Sequence, residues 1–222
     1  MSCKNKIPMK NTGNITRIIL LTLFVSVFVS FSGCIKNNDN YVEETTLDEN
    51  GYTDYKLNNP TRCGYILYIP TGLLTAPLSD NIETNVIRVS GYEYDWQGIF
   101  LNYSDGSHFL AVLINTQGSY IILKANGDNV YYYNGSTWTS SLNLFASLAL
   151  NMGYNQINTI KIAVTAPNTY QISLNGTEVK TFNETDLPAG LNKGFLFSIA
   201  TKDQEGFPDN FNEVKFKELH AQ

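Results

Sequence analysis

Histidine is almost missing from this chain: among 222 residues there are two, His108 and His220. No metal-spaced histidine cluster, no Cys–His pairing and no Gly-x-Ser-x-Gly elbow is present, so zinc sites and nucleophile–base catalysis lack their parts. Cysteine is as sparse, with Cys3, Cys34 and Cys63 alone. Charge is thin at 16%, and acids outnumber bases 20 to 15, for a net charge of −5. Phosphate binding needs a lysine and arginine surplus, which excludes a nucleic-acid partner. No glycine-rich loop opens a helix to cradle a nucleotide phosphate. What the chain does have is aromatic residues, 14 Tyr and 12 Phe among them, which suit pleated sheet better than helix.

The first residues read as an address. Lys4, Lys6, Lys10 and Arg17 precede an uncharged stretch, 18–31 (IILLTLFVSVFVSF), which ends at Ser32-Gly33-Cys34. As a helix at about 1.5 Å per residue that stretch spans roughly 21 Å, short of the ~30 Å hydrocarbon core. A positive start, a short apolar region and small residues before a cut describe a secretory signal. Phe31-Ser32-Gly33-Cys34 resembles the bacterial lipobox, with Phe31 where leucine is usual. The resemblance implies diacylglyceryl transfer to Cys34, cleavage after Gly33, acylation of the new amino terminus (a palmitate-type lipid) and a bilayer as partner. Removing residues 1–33 carries the net charge from −5 to −9, a body that anionic headgroups repel.

Three regions are expected: a signal peptide over 1–33, a flexible acidic tether over 34–60, and a folded domain over 61–222. The tether follows from six acids, many Asn and Thr and few aliphatics in residues 35–60. At roughly 5–6 Å × √n it would hold the domain about 25–30 Å from its anchor. Cys63 has no intramolecular partner once Cys3 is removed and Cys34 acylated, leaving a buried thiol or an intermolecular disulfide.

Beyond residue 61 short apolar or alternating runs predict strands over 63–69, 86–90, 98–103, 109–115, 119–124, 130–133, 159–164, 169–174, 178–182, 194–200 and 213–219. Ile160/Ile162/Val164, Tyr170/Ile172/Leu174 and Phe195/Phe197/Ile199 each fall on one face. Asp105-Gly106, Asn126-Gly127, Asn134-Gly135 and Asn175-Gly176 mark tight turns between runs. Such spacing predicts an all-β sandwich or barrel. Residues 141–152, with Leu142, Phe145, Leu148 and Met152, fit either a short helix or a strand with a loop.

Three groups of residues in order, Asp95 to Phe100, Asp105 to Phe109 and Gly118 to Leu123, resemble the concanavalin A-like (laminin G-like) jelly roll. Asn158 to Ile162, Tyr170 to Gly176, Gly190 to Phe197 and Val214 to Phe216 continue the likeness across residues 83–219. It implies a two-sheet antiparallel jelly-roll sandwich whose members are lectins, adhesion modules, hydrolases and structural appendages.

Within that frame Glu93-Tyr94-Asp95-Trp96-Gln97 is one acid short of the carboxylate series that jelly-roll glucanases carry on one strand, and Gln97 cannot protonate a leaving group. His108, just after a turn, reads as a solvated or hydrogen-bonded side chain. Stacking partners for a sugar are Trp96, Trp138, Tyr131 and Tyr133. Calcium could be held by Asp203, Glu205 and Asp209 in an acidic turn, and no other cofactor is implied. The expectation is an exported bacterial envelope lipoprotein, its body periplasmic or surface-exposed, binding a glycan or an envelope or matrix protein without catalysis. The alternatives are a sugar-active hydrolase of the same superfamily and a structural envelope component.

Overall fold

The computed structural model describes residues 42–58, 65–73, 81–103, 108–126, 129–186, 192–199 and 211–221. They form two antiparallel sheets packed face to face, the jelly-roll sandwich, and no helix occurs among the described residues. None is therefore long and apolar enough to cross a membrane.

The first sheet contains β1 (Val42–Leu47), β2 (Tyr52–Asn58), β15 (Phe211–Lys217), β4 (Ile82–Ser90), β11 (Ile157–Ala166), β12 (Thr169–Leu174) and β13 (Thr177–Asn183), in that order. The short β16 (His220–Ala221) also pairs with β4. The second sheet runs β3 (Tyr65–Leu73), β14 (Asn192–Ile199), β5 (Gln97–Tyr103), β6 (His108–Ile114), β7 (Ser119–Asn126), β8 (Asn129–Tyr133) and β9 (Trp138–Thr139), with β10 (Phe145–Ala146) against β7.

Alternation fixes the register of the first sheet. Ile160, Ile162, Ile172, Leu174, Val86, Val214 and Phe216 point between the sheets with exposures of 1% or less, and their neighbours point outward. The second sheet does not alternate. Leu110, Val112 and Ile122 face the inter-sheet core, while Phe109, Ala111, Leu113, Ile121 and Leu123 form a second apolar cluster on its other side, with Phe100, Trp96 and Tyr132. A sheet that reads as continuous apolar runs is buried on both faces. Gly98 belongs to that packing: a Cβ there would overlap the Val112 carbonyl oxygen of the next strand.

The turns behave as their residues require. Asn175 and Gly176 both adopt positive φ, 49° and 79°, the pair of angles a type I′ hairpin needs. Asn134 Oδ1 accepts from the N–H of Ser136 and Thr137, closing the turn at Gly135. The Asp105-Gly106 turn, Cys34, Cys63 and the calcium candidates Asp203, Glu205 and Asp209 lie outside the described residues.

One expectation needs correction. The tether over 34–60 is not loose throughout, because β1 and β2 occupy most of its second half. β2 pairs with β15 along its whole length, and Tyr55 packs on Phe195, Phe197 and Phe216 in the core. Asp54, one of the acids that suggested a solvated stalk, meets Lys56 and Lys215 at 3.9 and 3.6 Å on the outer face of the sheet. Of the two readings left open for residues 141–152, the strand with a loop is the one present: the two-residue β10 and turns, with Phe145 and Leu150 turned inward and Leu148 fully exposed.

A chain that starts at residue 61 should therefore lose cooperative unfolding, while one that starts at residue 41 keeps it. Urea denaturation followed by far-UV circular dichroism measures this, and equal midpoints would sink the assignment of β1 and β2 to the domain.

Candidate functional site

The four aromatic candidates gather less than sequence spacing suggested. Trp96 is 2% exposed and belongs to the apolar cluster on the second sheet. Tyr133 is buried too, its ring 5.0 Å from Phe182 and 5.4 Å from Trp138. Neither offers a face to a sugar, and both return to the core. Trp138 and Tyr131 are half-buried beside Lys124, whose Nζ lies 4.8 Å from the Trp138 ring and 6.0 Å from that of Tyr131. That ammonium is held 2.7 Å from Glu184 Oε2, with both side chains buried. Two such charges removed from water must pair closely, and Trp138 covers the pair at the margin of the sandwich.

The carboxylate series around Glu93 is likewise spoken for. Arg88, buried on β4, donates from Nε and Nη2 to Gln97 Oε1 at 3.0 and 2.8 Å, and its Nη1 lies 4.0 Å from Asp95. Burial pulls the Arg88 pKa below its ordinary value, and the Asp95 charge works against that pull. Gln97 is the acceptor that steadies a buried cation.

A polar concavity among the described residues lies on the outer face of the first sheet. A groove of about 590 Å³ has Ile87 and Val89 of β4, Ile157 of β11, and Lys215 and Lys217 of β15 in its lining. The β1–β2 turn adds Asp48 and Asn50, β2 adds Tyr52, and Asn155 closes the far side. Asp48 is fixed by the N–H groups of Asn50 and Tyr52, each at 2.9 Å. The Tyr52 N–H chiefly, then that of Asn50 and Lys215 at 3.5 Å, hold its carboxyl below the ordinary value. Lys217 rests over the Tyr52 ring at 5.6 Å. Asn155 takes a left-handed φ of 61°, which asparagine tolerates, and its N–H reaches the Arg88 carbonyl at 2.8 Å.

Beside Asn155 the aromatic residues come to the surface. Tyr154 donates to the Gly91 carbonyl at 2.6 Å, and Tyr92 and Tyr94 sit with ring centroids 5.3 Å apart. Gln117 donates to Glu93 at 2.7 Å between these loops. Sequence reading missed this region because its residues are scattered over four segments, two of them assigned to the tether and to an unassigned loop. Asn50-Gly51 was the available signal, a turn pair inside the supposed stalk.

Asp54 and Glu213 share the outer face near the groove. Burial, and then a hydrogen bond to Asp54, hold the Glu213 carboxyl above its ordinary value; Asp54 Oδ1 otherwise has no partner among the described residues. No cluster of three metal-ligating side chains occurs among the described residues.

No family model matches the sequence, and no curated protein does. Solved structures do. A carbohydrate-binding module from Bacillus subtilis is 10% identical, with a TM-score of 0.48 over 78% of this chain and 95% of that one. An alginate lyase from Pseudomonas aeruginosa is 13% identical, with a TM-score of 0.48 over 81% and 86%. A galectin from the sponge Cinachyrella is 18% identical, with a TM-score of 0.43 over 70% and 98%.

A Glu213 pKa raised by the fold means that proton binding favours the folded state. That contribution is full below the ordinary carboxylate value and is lost as pH rises through the raised one. Glu213→Gln, which keeps a donor toward Asp54 without titrating, should flatten the fall in melting temperature from about pH 4 to about pH 7 and stabilise the neutral form. Parallel profiles for the two proteins would exclude the shared proton.

Proposed function

We propose that this chain is an exported lipoprotein whose β-sandwich binds glycan in the groove on the outer face of its first sheet. One observation carries the reading: the groove combines an apolar floor with amide, carboxylate and ammonium groups at its sides. Sugar rings have that double character, with C–H faces that rest on Ile87, Val89 and Ile157 and hydroxyls that pair with fixed polar groups. Asn50 and Asn155 each bring a donor and an acceptor, while Asp48 accepts and Lys215 and Lys217 donate. The site is pre-formed, since the Asp48 hydrogen bonds and ion pair hold the β1–β2 turn before a ligand arrives, and that lowers the cost of ordering it.

The role proposed is binding without a chemical step. Asp48 and Asp54 face Lys215 at 3.5 and 3.6 Å, so the carboxylates about the groove are engaged as ion-pair partners. The anchor half of the proposal rests on Phe31-Ser32-Gly33-Cys34 after a short apolar segment. More than one acyl chain is needed for stable attachment, and an acylated Cys34 would carry them.

A glycan array probed with residues 35–222, with and without calcium, tests the binding half. Asn50→Ala and Lys217→Gln should each weaken the signal roughly 5–10-fold, the worth of a hydrogen bond of about 1 kcal/mol or slightly more, in proteins that melt like the parent. Trp96→Ala should act differently, costing about 3–5 kcal/mol of stability. A folded parent that binds no glycan would end the reading. The anchor half predicts a Cys34 amino-terminal peptide heavier by its acyl chains, and release of Cys34→Ala protein from membranes; an unmodified Cys34 would remove it.

A further inference from the structure

The loops 91–96, 115–118 and 147–156 meet at one end of the sandwich. Thr116 donates to the Glu93 carbonyl at 2.8 Å, the Gly153 N–H to Thr116, and the Ser147 N–H to Gly118. Six of the seven large hydrophobic residues that are exposed among the described ones cluster at or beside this end. Leu148, at the apex of the 147–150 turn, is fully exposed; Met152 is 62% and Leu144 48% exposed beside it, with Tyr94 and Tyr154 alongside. The same three loops contain two acids, Glu93 and Asp95, and no lysine or arginine. Asp95 is buried against Arg88 and Glu93 accepts from Gln117, so the crest presents little charge.

The register shows where the amino-terminal chain arrives. Val42 pairs with Leu57, Leu57 with Asn212, and the next residue, Glu213, with Ser90. β1 therefore begins at the end that bears loop 91–96 and runs away from it. Residues 35–41, seven in all, separate Cys34 from β1, a reach of roughly 15 Å as coil and about 25 Å fully extended.

We propose that the crest of Leu144, Leu148 and Met152 rests in the interfacial layer of the bilayer that holds Cys34. The inference rests on the proposed acylation of Cys34; Leu144, Leu148 and Met152 do not line the glycan groove, whose Asn155 and Ile157 border this end. Apolar side chains without neighbouring charge, flanked by tyrosines whose rings are apolar and whose hydroxyls stay wet, suit that layer. A short leash keeps them within reach.

The test places a tryptophan at the crest. Leu148→Trp and, at the opposite end, the exposed Thr165→Trp are made in the full acylated protein and reconstituted in phosphatidylcholine–phosphatidylethanolamine vesicles. The fluorescence each new ring adds to the parent spectrum should be quenched severalfold by brominated lipid at position 148 and left unchanged at 165. The same pair, as residues 35–222 tethered by an amino-terminal polyhistidine to nickel-chelating lipid, separates the two proposals. Quenching there with an unmodified Cys34 in cells keeps the crest and removes the native anchor. Vesicle-bound protein whose position 148 is no more quenched than 165 overturns the crest.

Discussion

The two sheets are pinned to each other by a ring cluster, and the groove depends on it. Phe195 of β14 stacks on Phe216 of β15 with centroids 4.2 Å apart and planes inclined by 18°. Tyr55 and Phe197 close on Phe216 at 6.0 Å each. Aromatic contacts of this kind add about 0.5–1.5 kcal/mol per pair beyond the area they bury. Their position matters more than their sum. β15 and β2 carry Phe216 and Tyr55 on their inner faces, so the next residues, Lys215, Lys217 and Asp54, are turned outward by the pleat. Polar groups of the groove are thus aimed by the packing beneath them.

The second sheet explains why the groove is on the first. Phe109, Leu113, Ile121 and Leu123 make its outward side as apolar as its inward one, and hydroxyl-rich ligands have nothing to pair with there. The first sheet keeps strict alternation and spends its outward positions on Asp54, Lys56, Lys215 and Lys217. Among the described residues, the outward polar groups that line the groove belong to the first sheet and the turns beside it. Trp96, the most attractive residue for sugar stacking by type alone, is consumed by the apolar face of the other sheet.

Most strands were legible because period-two alternation and Asn-Gly turns are local signals. Ile160/Ile162 and Asn175-Gly176 state their roles within a few residues. β1 and β2 were not, since Thr45-Thr46 and Tyr52-Thr53-Asp54-Tyr55 have strand-forming residues diluted by acids, and acid content argues for solvation. What decides the matter is a partner 161 residues away: Lys215 opposite Asp54 in the register. The site shared that fate. Tyrosine runs and tryptophans draw attention in sequence, yet exposure is a property of packing, and the wet tyrosines turned out to be Tyr94 and Tyr154.

Moving β1 and β2 into the domain changes more than a boundary. A tether of 26 residues would let the body tumble, and any surface could then meet a ligand or a membrane. Under the proposed acylation of Cys34, seven residues separate the lipid from β1, which runs from that side into the fold. Loop 91–96 and its neighbours are at the near end of that strand, while the groove, on a sheet face roughly parallel to it, stays open sideways. Under the two proposals a connection that short would orient the domain, with its apolar end toward the bilayer and its groove open to the side.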